Sequence, residues 1–251
     1  MFPTLVDLGP LTVHTYGLFI ALAFLAGMVW ASHEARQRGA SVAMVQDIVF
    51  WSILAAIIGS RLLFVLINPG YFLRHPLDIL MFWKGGLVFL GGALLVALVI
   101  WIYLRAKRQP ILFWADLLVP ALPLGQAIGR LGCFAAGCCY GKECVLPWAV
   151  TFNTAGSLAP QNVSLHPTQL YHSLGDLTTF LVLLLAKPYI KRPGQVLGLY
   201  LLVFPVFRIA VEFFRADFRG AMGPFSTTQV IAAALMPVGL WLTFLRKPQG
   251  A

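Results

Sequence analysis

The sequence predicts an all-α, polytopic integral membrane bundle of about seven transmembrane helices, built as one membrane-embedded domain over residues 1–251. Three observations predict it. Of the 251 residues, 59% are hydrophobic and only 11% charged, where a soluble domain carries about 25% charged residues. The apolar residues fall in long runs, and the mean hydropathy is +0.83. The basic residues sit in small clusters between those runs. One aqueous core cannot hide this much apolar surface, so lipid must solvate it. A soluble enzyme, a disordered tail and a secreted disulfide scaffold are excluded. The net charge of +9 is dispersed in the manner of loops facing anionic headgroups, and no nucleic-acid partner is expected.

A helical span needs about 20 mostly apolar residues. Seven runs qualify, at roughly 14–32, 45–67, 86–104, 111–128, 167–186, 195–214 and 225–245. They are Leu- and Ala-rich and lack the alternation of an outer-membrane barrel. Gly39 follows the first run, Pro69-Gly70 ends the second, and Gln109-Pro110 precedes the fourth. Lys191 to Gly194 separate the fifth from the sixth, and Gly220 with Gly223-Pro224 introduces the seventh. The interval 129–166 reads as the only long connection. The start, Met1–Pro10, has no basic residue and contains Asp7, unlike a cleavable signal peptide.

The basic residues orient the bundle. Arg36, Arg38, Arg105, Lys107, Arg108, Lys187, Lys191, Arg192, Arg246 and Lys247 fall on one side, which the positive-inside rule makes cytoplasmic. Arg61, Arg74, Lys84, Arg130, Lys142, Arg208, Arg215 and Arg219 lie within spans or on the other side. The amino terminus is expected outside and the carboxyl terminus inside.

Ionisable groups within spans are functional candidates. Arg208 and Glu212 are four residues apart and share a helix face, with Arg215 three further on. They read either as a structural pair at a helix end or as a guanidinium site for a lipid phosphate. Arg61, beside Gly59 and Ser60, either bonds backbone carbonyls or meets a ligand. The glycine pairs at 85–86 and 91–92 suit tight helix packing or close approach of a lipid chain. Glycines 125, 129, 132, 137 and 141 surround Arg130, and exposed backbone N–H groups beside a guanidinium would cradle a phosphate. Neither a Walker nor a Rossmann loop is present.

All four cysteines, Cys133, Cys138, Cys139 and Cys144, fall within twelve residues. Their spacing matches no familiar zinc pattern, and no metal is expected. A disulfide bracing an outward loop is the favoured reading, with a reactive thiol near Arg130 as the alternative. His166 to Tyr171 opens the fifth span, with Pro167 suited to a first helical turn.

Together these pieces resemble the prolipoprotein diacylglyceryl transferase family. His14-Thr15-Tyr16-Gly17-Leu18 is similar to its H-W-Y-G-L. Gly59-Ser60-Arg61 is similar to G-[GA]-R, and Gly85 to Gly92 to G-G-[LM]-S-F-H-G-G. Gly129 to Gly141 resembles G-R-[LI]-G-N-F-x-N-G-E-x-x-G. His166 to Tyr171 matches H-P-[ST]-Q-L-Y, and Phe207 to Arg215 matches F-R-x-x-[VI]-E-F-[FL]-R. The resemblance implies seven spans and a bacterial inner-membrane enzyme without a cofactor. Its reaction would move the diacylglyceryl group of phosphatidylglycerol to a prolipoprotein cysteine, so the implied partners are that lipid, prolipoprotein signal peptides and membrane lipids.

The resemblance also implies catalytic roles for Arg130, Arg208 and Glu212. It implies phosphatidylglycerol contacts at Tyr16, Arg61, Gly141, Gln169 and Tyr171. The chain departs from the family at Leu90, Cys133 and Cys138, where His, Asn and Glu are usual. Leucine takes no proton, so the acceptor for the substrate thiol falls to His166, Cys138 or Glu212. The alternatives are an enzyme on this scaffold with another donor or acceptor, and a non-catalytic lipid- or peptide-binding membrane protein.

Overall fold

The computed structural model describes residues 4–7, 12–154, 156–216, 220–222 and 225–246. Arg219 and Lys247, both counted in the charge asymmetry, lie outside the described residues. The fold is all-α and polytopic. Nine α-helices are described: α1 (Thr15–Gln37), α2 (Val42–Ile67), α3 (Pro69–Phe72), α4 (Phe89–Ala106), α5 (Ile111–Leu118), α6 (Ala121–Ala136), α7 (Thr168–Ala186), α8 (Gln195–Glu212) and α9 (Thr227–Leu240). Three small antiparallel ladders join Thr4–Asp7 to Thr12–His14, Val150–Thr151 to Ser164–Leu165, and Ala221–Met222 to Phe225–Ser226.

Among the described residues, six helical stretches are long and apolar enough to cross a membrane: Thr15–Gln37, Val42–Ile67, Phe89–Ala106, Ile111–Ala136, Gln195–Glu212 and Thr227–Leu245. Each matches an expected span. The expected span at 167–186 is also a helix, α7, but it is less apolar than the others. Gln169, His172, Asp176 and Thr179 form a buried polar stripe along it, at the three- and four-residue spacing that puts side chains on one helix face. Leu174 and Leu185, by contrast, are exposed, as a lipid-facing surface requires.

Two expectations about the connections need correction. Helix α6 continues to Ala136, so the connection expected at 129–166 starts only at Gly137. The stretch between α2 and α4 is a second long connection, folded into α3 and the short helical turns Pro76–Leu80 and Phe82–Lys84.

The chain divides into two compact units. The first holds residues up to Ala31 and from Ala115 onward. Here glycines let helices approach. A Cβ at Gly132 of α6 would lie 2.7 Å from the Phe19 side chain of α1, and one at Gly175 of α7 would lie 2.9 Å from Phe207 of α8. Ser173 of α7 donates to the Ala127 carbonyl of α6 at 2.8 Å. Asp116 caps α8, its carboxylate accepting from the backbone N–H groups of Gly194 (2.6 Å) and Leu197 (2.9 Å). An anion there satisfies orphan donors and complements the helix dipole. Under the 137–167 connection, Phe152, Ala159 and Leu165 form a small core with Phe134 and Tyr140.

The second unit is Ser32–Trp114, built on the α2–α4 pair. A Cβ at Gly59 would lie 2.4 Å from the Gly91 carbonyl oxygen, and one at Gly91 would lie 2.3 Å from that of Gly59. The two backbones therefore touch, and the 91–92 pair serves tight packing, whereas Gly85 has nothing within 4 Å and, like Gly86, takes a positive φ in the connection. Tyr103 donates to Asp47 across the same helices at 2.7 Å.

Candidate active site

Every expected site residue except Arg61 lies in the first unit. Arg130 sits on the last full turns of α6, half-buried. The phosphate cradle read into the surrounding glycines therefore needs correction. Gly125, Gly129 and Gly132 are inside the helix, where their N–H groups serve helical hydrogen bonds, and their lack of side chains admits α1. Their spacing of four and three residues is the helix period. Arg130 makes no hydrogen bond or ion pair among the described residues. Its charge is felt at Tyr16 of α1, at Cys133 and at the buried Asp176 of α7. Tyr16 is exposed.

Arg208 is buried on α8. One terminal nitrogen is 2.7 Å from His172 Nε2 and the other 3.2 Å from Glu212 Oε2. A guanidinium has only donors, so His172 Nε2 is the acceptor. Glu212 Oε1 accepts from Thr228 of α9 at 2.8 Å. Its Oε2 is buried and takes no well-aligned hydrogen bond, although the ion pair holds it close. Asp176 lies in the field of both Arg130 and Arg208. The buried carboxylate of α7 thus feels two positive charges, one of which is paired with Glu212.

The segment His166–Tyr171 organises the connection after α6. Thr168 donates to the Cys139 carbonyl at 2.8 Å and the fully buried Gln169 donates to the Cys138 carbonyl at 2.7 Å. Gln169 Oε1 is buried without a hydrogen-bond partner. Tyr171 accepts from Trp148 Nε1 at 2.8 Å and shares a 3.1 Å hydrogen bond with His166 Nδ1. Gly141 lies where two strands of backbone cross. A Cβ there would fall 2.7 Å from the carbonyl oxygens of both His166 and Phe214. Close approach explains that glycine, and its N–H bonds His166 at 3.0 Å.

The structure holds all four cysteines as free thiols, so the bracing disulfide is not formed. Hydrogen bonds from Gln169 and Thr168 hold the turn in its place. Cys139 is pulled well down by the neighbouring Cys133 and Cys138 thiols and by Arg215, while Cys138 is pushed up by its contacts with the other two.

Arg61, in the second unit, donates to the carbonyls of Ile79 (3.0 Å), Gly85 (2.7 Å), Gly86 (3.2 Å) and Asp78, and stacks near Phe64 and Phe72. Four of its five N–H groups thus brace the connection between α2 and α4. Leu90 lies at the start of α4 in the same unit, exposed.

Sequence reasoning missed His172 and Asp176. Their signal was present as polar residues recurring at helical spacing inside an apolar run.

The profile of the family described as prolipoprotein diacylglyceryl transferase matches residues 3–245. The chain belongs to that family. It is 34% identical over 242 residues to a phosphatidylglycerol–prolipoprotein diacylglyceryl transferase of Clostridium tetani, covering 96% of each chain. It is 37% identical to a protein of that name from Polaromonas naphthalenivorans, covering 96% of this chain and 93% of the relative. A Bordetella avium protein of the same name is 35% identical, with 96% and 89% covered. The family motifs fall on α1, α6, α7 and α8 in the first unit and on α2 and α4 in the second.

Proposed function

We propose that this chain transfers the diacylglyceryl group of phosphatidylglycerol to the lipobox cysteine of prolipoproteins, in the bacterial inner membrane, with the whole chain acting as one transferase domain. The names of its relatives support the reaction. The observation that carries it is Arg130. Arg208 is engaged by His172 and Glu212, whereas Arg130 projects from a helix with its hydrogen-bonding capacity uncommitted among the described residues. A half-buried guanidinium with open donors suits an anion, and the lipid headgroup phosphate supplies one.

In the reaction the substrate sulfur attacks the glyceryl carbon that carries the phosphate ester. A C–S bond forms, the C–O bond breaks, and the electron pair leaves on the oxygen of glycerol phosphate. Charge grows on that oxygen, and a fixed cation lowers the barrier most where water is excluded. Arg130 binds the phosphate and stabilises the departing oxygen. Arg208 is the second cation and orients Glu212. Of the three candidate acceptors for the thiol proton, Glu212 fits best. Its Oε2 has an open lone pair, while the neighbouring thiols push Cys138 up and His166 Nδ1 is engaged by Tyr171. Gln169 positions the turn after α6, and Tyr16 and Tyr171 remain headgroup contacts.

The signal peptide of the substrate approaches from the lipid. The amino terminus lies outside and the carboxyl terminus in the cytoplasm, as the basic residues at the ends of α1, α4 and α7 indicate.

Complementation of a strain depleted of its own transferase tests the reading. Growth with lipidated prolipoproteins is the expected result. A well-expressed chain that fails to complement would point to another donor or acceptor, in line with the departures at Leu90, Cys133 and Cys138.

A further inference from the structure

Helix α6 ends in a Schellman motif. Gly137 takes a left-handed conformation (φ 71°), its N–H bonds the Phe134 carbonyl at 3.2 Å, and the Cys138 N–H bonds the Cys133 carbonyl at 3.1 Å. This motif brings together the side chains five residues apart that flank it, and here both are cysteines. Cys139 follows with a positive φ of 61°, which folds its side chain back toward the same point. The hydrogen bonds from Thr168 and Gln169 fix both carbonyls of this turn. As a result the sulfurs of Cys133, Cys138 and Cys139 all lie within 4.8 Å of one another.

We infer that Cys133, Cys138 and Cys139 form a binding site for a soft, thiophilic cation, with copper(I) the best match. The geometry is close to what a trigonal thiolate centre needs. With metal–sulfur bonds of ~2.3 Å, three sulfurs around one ion stand ~4 Å apart, a contraction that side-chain rotation supplies. Thiolate ligands select soft ions such as copper(I). Cys144 is not part of the group, so the described residues offer three sulfurs and not the closed four-ligand set of structural zinc.

Charge points the same way. Three thiolates around a monovalent ion carry a net double negative charge. Arg215 hydrogen-bonds Cys139, and the charge of Arg130 reaches Cys133. Arg215 therefore places a positive charge directly beside the sulfurs. Binding displaces the remaining thiol protons to solvent, with no change of oxidation state. The site adjoins the proposed transfer site, because the charge of Arg130 reaches Cys133, but metal binding itself needs no transfer step.

Anaerobic titration of the purified full-length protein in detergent with copper(I), against a chromogenic copper(I) chelator, tests the inference. One copper(I) per chain is expected. Cys133→Ser and Cys139→Ser should each weaken binding by at least about tenfold, while Cys144→Ser should match the unaltered chain. Alkylation mapped by mass spectrometry on the unaltered protein needs no variant. Copper(I) should protect Cys133, Cys138 and Cys139 and leave Cys144 reactive. Equal labelling of all four thiols with and without copper(I), or unchanged binding by Cys139→Ser, would overturn the site. Tighter binding of zinc(II) than of copper(I) would overturn its assignment to a trigonal soft ion.

Discussion

Arg208 of α8 donates to His172 Nε2 of α7 across 2.7 Å, and both side chains are buried. The bond fixes the histidine tautomer, because the guanidinium offers no acceptor, and it fixes the plane from which Arg208 reaches Glu212. His172 is therefore a positioning residue. A hydrogen bond to a charged group contributes about 1.5–3 kcal/mol, so His172→Ala should lower transfer to a lipobox peptide by roughly 10- to 100-fold. His172→Gln keeps an acceptor and should recover a large part of the loss. Equal activity of the two variants would remove the positioning role.

Arg130→Ala and Arg208→Ala are each expected to lower transfer by about 100- to 1000-fold, the usual scale for a fixed group that stabilises developing charge. Arg36→Ala, in the last turn of α1, should leave the rate unchanged. Arg130→Lys should recover little, because a point charge does not reproduce the bidentate fork. A peptide lipidation assay in phosphatidylglycerol micelles reads all four.

Glu212→Gln removes a proton acceptor while keeping the volume and the Thr228 contact. Transfer should fall steeply, and it should fall more than expression or thermal stability does. If the Gln variant retains near-full activity, the proton leaves by another route.

Gly141→Ala tests packing instead of chemistry. The added methyl would meet two carbonyl oxygens at 2.7 Å, and neither backbone can rotate away as a flexible side chain would. A cost of about 1–3 kcal/mol is expected, seen as a lower melting temperature in detergent. A stable, inactive variant would instead point to ligand contact.

Reporter fusions at the two ends should place the amino terminus outside and the carboxyl terminus in the cytoplasm. A cytoplasmic amino terminus would mean that the chain crosses the membrane an even number of times on that reading, or in the reverse sense.

Much of the bundle is legible in the sequence because lipid rewards unbroken apolar runs, as in Val42–Ile67 and Phe89–Ala106. The pair Arg208 and Glu212 was visible from its four-residue spacing. Other features were hidden by reading residue types without their period. Gly129 and Gly132 fall in the expected connection and, with Gly125 at the end of the expected span, read as a phosphate cradle, yet their spacing is that of a helix seam. The convergence of three sulfurs was also hidden. It depends on two left-handed residues, one of them a cysteine, and on contacts from Thr168 and Gln169 some thirty residues away. The role of Arg61 depends likewise on carbonyls supplied by a connection 17 to 25 residues downstream.

The polar stripe of α7 imposes an order on biogenesis. A single aspartate at the middle of an inserting helix costs about 2.5–3.5 kcal/mol, and α7 carries Asp176 together with Gln169, His172 and Thr179. Released alone from the translocon, it would partition poorly into lipid. Its stripe becomes tolerable once α8 brings Arg208 to His172 and the charges of Arg130 and Arg208 reach Asp176. The nascent helix must therefore wait for a segment not yet synthesised, and ribosome-bound chains truncated just after Ala186 should leave it accessible to aqueous labelling.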